Sequence, residues 1–265
     1  GVTLAIEEGE LIGIAGANGS GKSTLAQLLC GLLPPARREV TTGGRVDGGR
    51  GNQAGDRGKQ AGSRGSQARI RELAGLVLQN PDSQIVASTV EDDIAFGLEN
   101  LGLPPEEIGR RVDEAVAQFG LATVRTREPH WLSGGQKQCV VLAGIMAMVP
   151  RLLVLDEPTA MLDPLSRRRF RKLVGELHVR GTTVVYITNV MEEIVTAPRL
   201  LALSGGRLAF DGSPADFFSN RELLEETGAV PPLPVRLSAA LAARGHDVPL
   251  SLTLEDLVQQ VCASS

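Results

Sequence analysis

The sequence predicts an α/β fold built on a mostly parallel sheet covered by helices. Two observations carry this reading. Short apolar runs, Leu11–Ala15, Leu73–Leu78, Leu152–Leu155 and Thr183–Ile187, recur along the chain with helix-patterned segments between them. Two of those runs also lead straight into motifs that carry chemistry, a glycine loop after Ala15 and a pair of carboxylates after Leu155.

Taken in order, LIGIA (Leu11 to Ala15) reads as a strand, and TLAQLLCGLL after the glycine loop reads as a helix ending near Pro34. Residues 43–66 change texture, with nine glycines, five basic residues and no aromatic, and read as a flexible surface loop rather than an RNA-binding Arg-Gly segment. A strand is predicted over Leu73–Leu78 and a helix over Thr89–Leu101, whose acidic start EDD suits a helix N-terminus. Further helices are predicted over Arg110–Phe119, Gly134–Met148 and Ser166–Arg180, and strands over Leu152–Leu155 and Thr183–Ile187. Leu200–Ser204 and Arg207–Phe210 read as a hairpin around Gly205-Gly206. Beyond Gly228, PPLP reads as a stiff linker leading to two short helical patterns, LSAALAARG and TLEDLVQQV.

At 265 residues the chain is long enough for one large α/β domain with an appendage, or for two modest domains, and an apolar fraction of 42% supports a sizeable core. A net charge of −4 gives no argument for nucleic acid or an anionic membrane surface as partner. Cys30, Cys139 and Cys262 have neither metal-ligand spacing nor the makings of a disulfide framework, which points to a reducing cytosol. Cys262 stands fourth from the end, but Ala-Ser-Ser is a poor prenylation box. The longest apolar run, Cys139 to Val149, is too short to span a bilayer, so any membrane role must come through a partner. The chain opens on Gly1 rather than Met and on no signal peptide, which reads as a fragment.

GANGSGKST, Gly16 to Thr24, follows a strand and opens a helix. Its glycines, Gly16, Gly19 and Gly21, let the backbone of Asn18, Ser20 and their neighbours wrap close to phosphates, so that N–H groups and the helix N-terminus face the anion. In this pattern Lys22 reaches the β- and γ-phosphates of ATP, and Ser23 ligates Mg²⁺. LLVLDEP supplies the complement: Asp156 at the strand end to hold Mg²⁺ through water, and Glu157 to orient or deprotonate an attacking water.

LSGGQKQ, Leu132 to Gln138, narrows the choice, because with it the chain resembles the nucleotide-binding subunits of ABC transporters over about residues 1–228. The resemblance implies a P-loop NTPase (RecA-like) core with a mostly parallel sheet, an antiparallel β subdomain, a helical subdomain inserted at about 81–148 and a small helical dimerisation extension over 229–265. It implies ATP and Mg²⁺ as cofactors, with Gln79 as the Q-loop glutamine, sensing nucleotide and adding a ligand to the metal beside Ser23 and Asp156. It places Asp163 in the D-loop AMLD. Ser133, Gly134, Gly135 and Gln136 belong to the signature, which contacts the γ-phosphate held by Lys22 of a second subunit in a head-to-tail ATP sandwich.

LQNPDSQIVASTVEDDIAFGLENLGLP (Leu78 to Pro104) and the tail 228–260 are most similar to the ATPase subunits of energy-coupling factor transporters, importers of vitamins or of cobalt and nickel ions. That resemblance implies a peripheral protein on the cytoplasmic face of the cell membrane. Its partners would be a second ATPase subunit, identical or related, a transmembrane coupling subunit docking against Asn80–Gly97, and a substrate-binding membrane subunit. Nucleic acid is not expected. The competing classes, a soluble ABC protein working on nucleic acid or ribosomes and a regulatory ATP binder with little turnover, lack fused second domains or coiled coils in the first case and rest on one residue in the second.

Departures from the family pattern are informative. No Tyr, Phe or Trp precedes Phe96, so the aromatic that stacks on adenine in many ABC domains is either missing with a truncated start or never existed. VVYITN ends on Asn189 where relatives carry a histidine that bonds the γ-phosphate. An asparagine amide still donates a hydrogen bond but is shorter and never becomes cationic. Asn189 therefore either weakens hydrolysis or substitutes adequately. His130 beside Trp131 reads as structural, and SRRRFRK (Ser166 to Lys172) as a solvated helix face.

Overall fold

The computed structural model describes residues 2–34 and 70–263; the glycine-rich stretch 43–66 lies outside them. In chain order the first elements are β1 (Leu11–Ala15), α1 (Lys22–Leu29), β2 (Ala74–Val77), α2 (Val90–Asn100), α3 (Pro105–Gln118), α4 (Gly134–Ala147) and β3 (Leu152–Asp156). They are followed by α5 (Pro164–Val179), β4 (Thr183–Ile187), β5 (Arg199–Ser204), β6 (Arg207–Gly212), α6 (Pro214–Ser219), α7 (Arg221–Thr227), α8 (Leu233–Ala242) and α9 (Leu254–Ala263). These elements divide into two compact units, Gly1–Lys22 with Thr183–Ser265, and Ser23–Thr182.

In the first unit β1 lies between two parallel partners. Leu11 stands opposite Val184 and Ile14 opposite Ile187 on β4, while Ile12 stands opposite Arg199 on β5. Every residue of β4 is buried, as its unbroken apolar run requires of a strand covered on both faces. β5 turns back antiparallel into β6 through Gly205 and Gly206, whose φ values of 52° and 74° make the two-residue turn that suits strand twist. Arg199 staples this edge, bonding Asp211 at 2.6 and 2.7 Å and Glu10 at 3.0 Å.

Two helices here have no counterpart in the sequence reading. α6 and α7 span 6 and 7 residues, too short to show a period, yet Ser213 and Asn220 cap them and Phe217 is fully buried. Only the first half of PPLP is a linker: Pro231 and Pro232 connect α7 to α8, with Pro232 as the N-cap, while Leu233 opens α8 and Pro234 lies in its first turn, where a missing N–H costs nothing. α8 and α9 are joined through Ser251, which donates its N–H to Ser238 and its hydroxyl to Gln260.

In the second unit β2 and β3 pair in parallel, Ala74 opposite Leu152 and Val77 opposite Leu155. Ile94 and Leu98 of α2 are fully buried, as are Val140, Leu142 and Ala143 of α4. α3 starts at Pro105 rather than at Arg110, because Pro105 at the first position and Glu106–Glu107 behind it make a helix start of a segment that reads as a turn. Arg111 then donates to the Ala147 carbonyl at the end of α4, 3.1 Å away. α5 buries Phe170, Val174 and Leu177 and leaves Arg168, Arg169 and Lys172 to solvent. His130 and Trp131 are both exposed, Trp131 at 75%, so neither is a core residue. Among the described residues no helix is long and apolar enough to cross a membrane.

Candidate nucleotide site

The glycine loop takes its shape from contacts inside the first unit. Gly16 has φ 148°, and a Cβ there would lie 2.5 Å from the Leu203 carbonyl oxygen, so no other residue fits against β5. Ser20 donates its N–H to Ala17 at 3.1 Å and accepts one from Gly206 at 3.0 Å, which pins the loop to the β5–β6 turn. Lys22 folds back over the loop, its Nζ donating to Gly16 O at 2.7 Å and Ala17 O at 3.0 Å. The buried hydroxyl of Ser20 has no hydrogen-bond partner among the described residues.

Asn189 reaches this loop: its Nδ2 donates to Oδ1 of Asn18 at 2.8 Å. The turn that carries it is fixed from behind by the buried carboxylate of Glu193, which accepts from Thr188 at 2.9 Å and Tyr186 at 3.3 Å. Thr188 also accepts the Val190 N–H at 3.0 Å. Neither Tyr186 nor Glu193 is singled out by a sequence motif: Tyr186 lies inside the predicted strand Thr183–Ile187, and Glu193 belongs to no motif.

The second unit holds the remaining predicted residues. Ser23 and Thr24 are exposed in the first turn of α1. Asp156 ends β3 and is 8% exposed. Glu157 follows it at φ 48°, a left-handed conformation shared among described non-glycine residues only by Val149. Such backbone strain collects at functional sites. Gln79 is exposed just past β2.

Ser133 caps α4 in a reciprocal capping box, accepting from Gln136 N at 3.3 Å while Gln136 Oε1 accepts from Ser133 N at 3.0 Å. The Gln136 carboxamide is thus engaged at the helix start. Gly135 abuts α5, since a Cβ there would lie 2.7 Å from Ser166 Cβ, whereas one on Gly134 would meet nothing closer than 3.6 Å. Asp163 caps α5, accepting from Leu165 N and Ser166 N at 3.0 Å each. The Ser166 hydroxyl and N–H hold its carboxyl below the usual range.

These residues suit a nucleoside triphosphate and a hard cation. Lys22 brings a positive charge, and the glycine loop and the start of α1 offer N–H groups, while the orphaned Ser20 hydroxyl is a ready hydrogen-bonding partner. Among the described residues no cluster of three or more His, Cys, Asp or Glu would hold a metal by itself. A hydroxyl and a carboxylate, from Ser23 and Asp156, are what an ion held mainly by phosphate and water requires.

A loop and helix start of this kind, with a strand ending in Asp-Glu, define a P-loop nucleotide hydrolase. Comparison with known proteins narrows the class. The ABC transporter family model matches residues 1–160. The energy-coupling factor transporter ATP-binding protein EcfA1 of Caldanaerobacter subterraneus subsp. tengcongensis is 44% identical over 98% of this chain and 90% of its own length. EcfA of Methanosarcina acetivorans is 43% identical over the same shares. The solved structure of cbiO1 from Clostridium perfringens, part of the ABC transporter complex cbiONQ, superposes with a TM-score of 0.69 and 31% identity, over 92% of this chain and 88% of that one. The chain belongs to the ABC transporter family, among the ATP-binding subunits of energy-coupling factor transporters, and is an ATPase.

Proposed function

We propose that the chain energises an energy-coupling factor importer for a vitamin or a transition-metal ion, working on the cytoplasmic face of the membrane as one half of a head-to-tail, ATP-sandwiching dimer. The observation that carries this reading is a pair of helix starts suited to anions, the glycine loop leading into α1 and the Ser133-capped start of α4 with its two glycines. One is suited to the chain's own ATP, the other to the ATP of a second subunit.

Lys22 balances charge on the β- and γ-phosphates, and the loop N–H groups position them. Ser23, Gln79 and Asp156 would hold Mg²⁺, which would supply positive charge against the phosphoryl group. Glu157 orients or deprotonates the attacking water, and Asn189 donates a hydrogen bond toward the γ-phosphate. Asp163 contributes to the dimer face beside the signature.

Two surfaces suit partners. A cleft of about 460 Å³, lined by Asp82, Ile85, Ala87, Ser88 and Glu128, follows Gln79 along the chain and suits a coupling segment of a membrane subunit. Leu233 and Leu237 of α8, with Leu254 and Val258 of α9, expose apolar side chains that a second ATPase subunit would cover.

The test is ATP-dependent dimerisation. With Mg²⁺ and ATP, Glu157→Gln is expected to accumulate as a closed dimer by gel filtration while releasing almost no phosphate. Monomer at every ATP concentration would overturn the sandwich.

A further inference from the structure

Gln138 is the last residue of LSGGQKQ, and neither nucleotide contact nor helix capping accounts for it. Its side chain is completely buried in α4. Nε2 donates to the Leu78 carbonyl at 3.1 Å, and Oε1 has no protein partner among the described residues. A buried amide with an unmet acceptor is a cost that an apolar side chain of the same length would avoid. Glutamine therefore stands here for what its single donated bond does.

That bond falls on the residue immediately before Gln79. The same short loop is held twice more. Gln84 acts as a false strand edge, accepting from Leu78 N at 2.6 Å and donating to Leu76 O at 2.9 Å. Lys137, the neighbour of Gln138, pairs with Asp82 at 2.6 Å and is largely buried in doing so. Consecutive signature residues thus grip both ends of the segment Leu78–Asp82, on which Gln79 is exposed.

We infer that Gln138 is a positioning residue for ATP hydrolysis: through the Leu78 carbonyl it sets where Gln79 stands, so that Gln79 follows the signature helix α4 as one body. The inference rests on the proposed role of Gln79. Lys137–Asp82 is the second anchor of the same segment.

The test compares ATP turnover and thermal melting of the full chain for wild type, Gln79→Ala, Gln138→Met and the double variant. Gln138→Met removes both polar atoms at nearly constant volume, so melting is expected to stay close to wild type. Its kcat is expected to fall roughly 10- to 100-fold, with KM for ATP within about twofold. The double variant should be no slower than Gln79→Ala alone, because both changes act through one side chain.

Gln138→Glu adds a reading that packing alone would not produce. The introduced carboxyl, buried, is held protonated with a raised pKa and can donate to the Leu78 carbonyl. Turnover should persist at low pH and be lost as pH rises through that pKa, a limb absent from wild type. Wild-type kcat for Gln138→Met beside a slow Gln79→Ala overturns the inference alone. Wild-type kcat for Gln79→Ala overturns the role of Gln79 and this inference with it. If Gln138→Met does not fold, Gln138→Glu decides, and a wild-type pH profile overturns the proposal.

Discussion

The carboxamide of Asn189 donates to the side-chain oxygen of Asn18 across 2.8 Å, tying the turn after β4 to the glycine loop, although 171 residues separate them in the chain. A histidine at 189 would be longer and able to carry charge, and one well-placed donor in a phosphoryl-transfer site is worth roughly 10²–10³ in rate. Asn189→His is accordingly predicted to raise single-turnover hydrolysis, by up to that factor, with ATP affinity little changed. Equal single-turnover rates, measured with any partner subunit held constant, would show that asparagine serves as well.

Glu157 and Val149 share a left-handed backbone, φ 48° and 55°, that costs an L-residue about 1–2 kcal/mol. Glycine in place of Val149 should therefore raise stability by about 1 kcal/mol. The two differ in chemistry: Glu157→Gly should abolish turnover, whereas Val149→Gly, at the end of α4, should leave it intact. Melting curves and phosphate release on both variants check the pair, and a Val149→Gly that melts lower than wild type contradicts the strain.

The two signature glycines should fail differently. Gly135→Ala drives a methyl to 2.7 Å from Ser166 Cβ and is predicted to destabilise by about 1–3 kcal/mol. Gly134→Ala has room, its nearest contact being 3.6 Å, so the fold should melt as wild type does. Loss of ATP-driven dimerisation by Gly134→Ala at unchanged melting would mark that glycine as a phosphate-approach residue rather than a packing one.

Acid should loosen the β5–β6 edge. Hydrogen bonding to Arg199 holds the Asp211 carboxyl below its usual range. A depressed folded pKa stabilises above the unfolded value and is lost as pH falls through the folded one, below about pH 3.9. At neutral pH Asp211→Asn is predicted to cost about 1 kcal/mol or less, since the pair is partly solvated. The gap to wild type in urea titrations should close as the pH is taken down through the Asp211 pKa, and a gap that persists there would exclude the ion pair as its source.

Thiol reactivity should rank by burial. Cys30 is buried and pushed up to about 12, Cys139 is raised for the same reason, and Cys262 is exposed. Iodoacetamide at pH 8 is predicted to label Cys262 first and Cys30 last, as read by peptide mass spectrometry; early labelling of Cys30 would contradict its burial.

The strands at β1 and β4 were legible residue for residue because a parallel strand covered on both faces needs an unbroken apolar run. α2 was legible from its start, where the acids EDD suit a helix N-terminus; the structure adds Thr89 as the cap. What escaped the sequence was of two kinds. α6 and α7 are shorter than the window in which a period shows, and α8 hides its start under prolines that read as a linker. Among site residues, motif order located Asn189, but nothing local to it pointed to Asn18. Gln138 looks like one more polar residue of a motif until its burial and the Leu78 carbonyl are seen together.

The anchoring of the glycine loop also sets a timetable for synthesis. The loop residues 16–22 leave the ribosome well before their partners, yet Gly16 is shaped against Leu203 and Ser20 is bonded by Gly206. Some ten to forty seconds of translation, roughly, separate those partners. Until the β5–β6 turn has emerged and paired, the nascent chain has the phosphate-loop sequence without the phosphate-loop conformation. ATP should therefore be unable to stabilise it, and nucleotide-assisted maturation must wait for nearly the last strand of the fold.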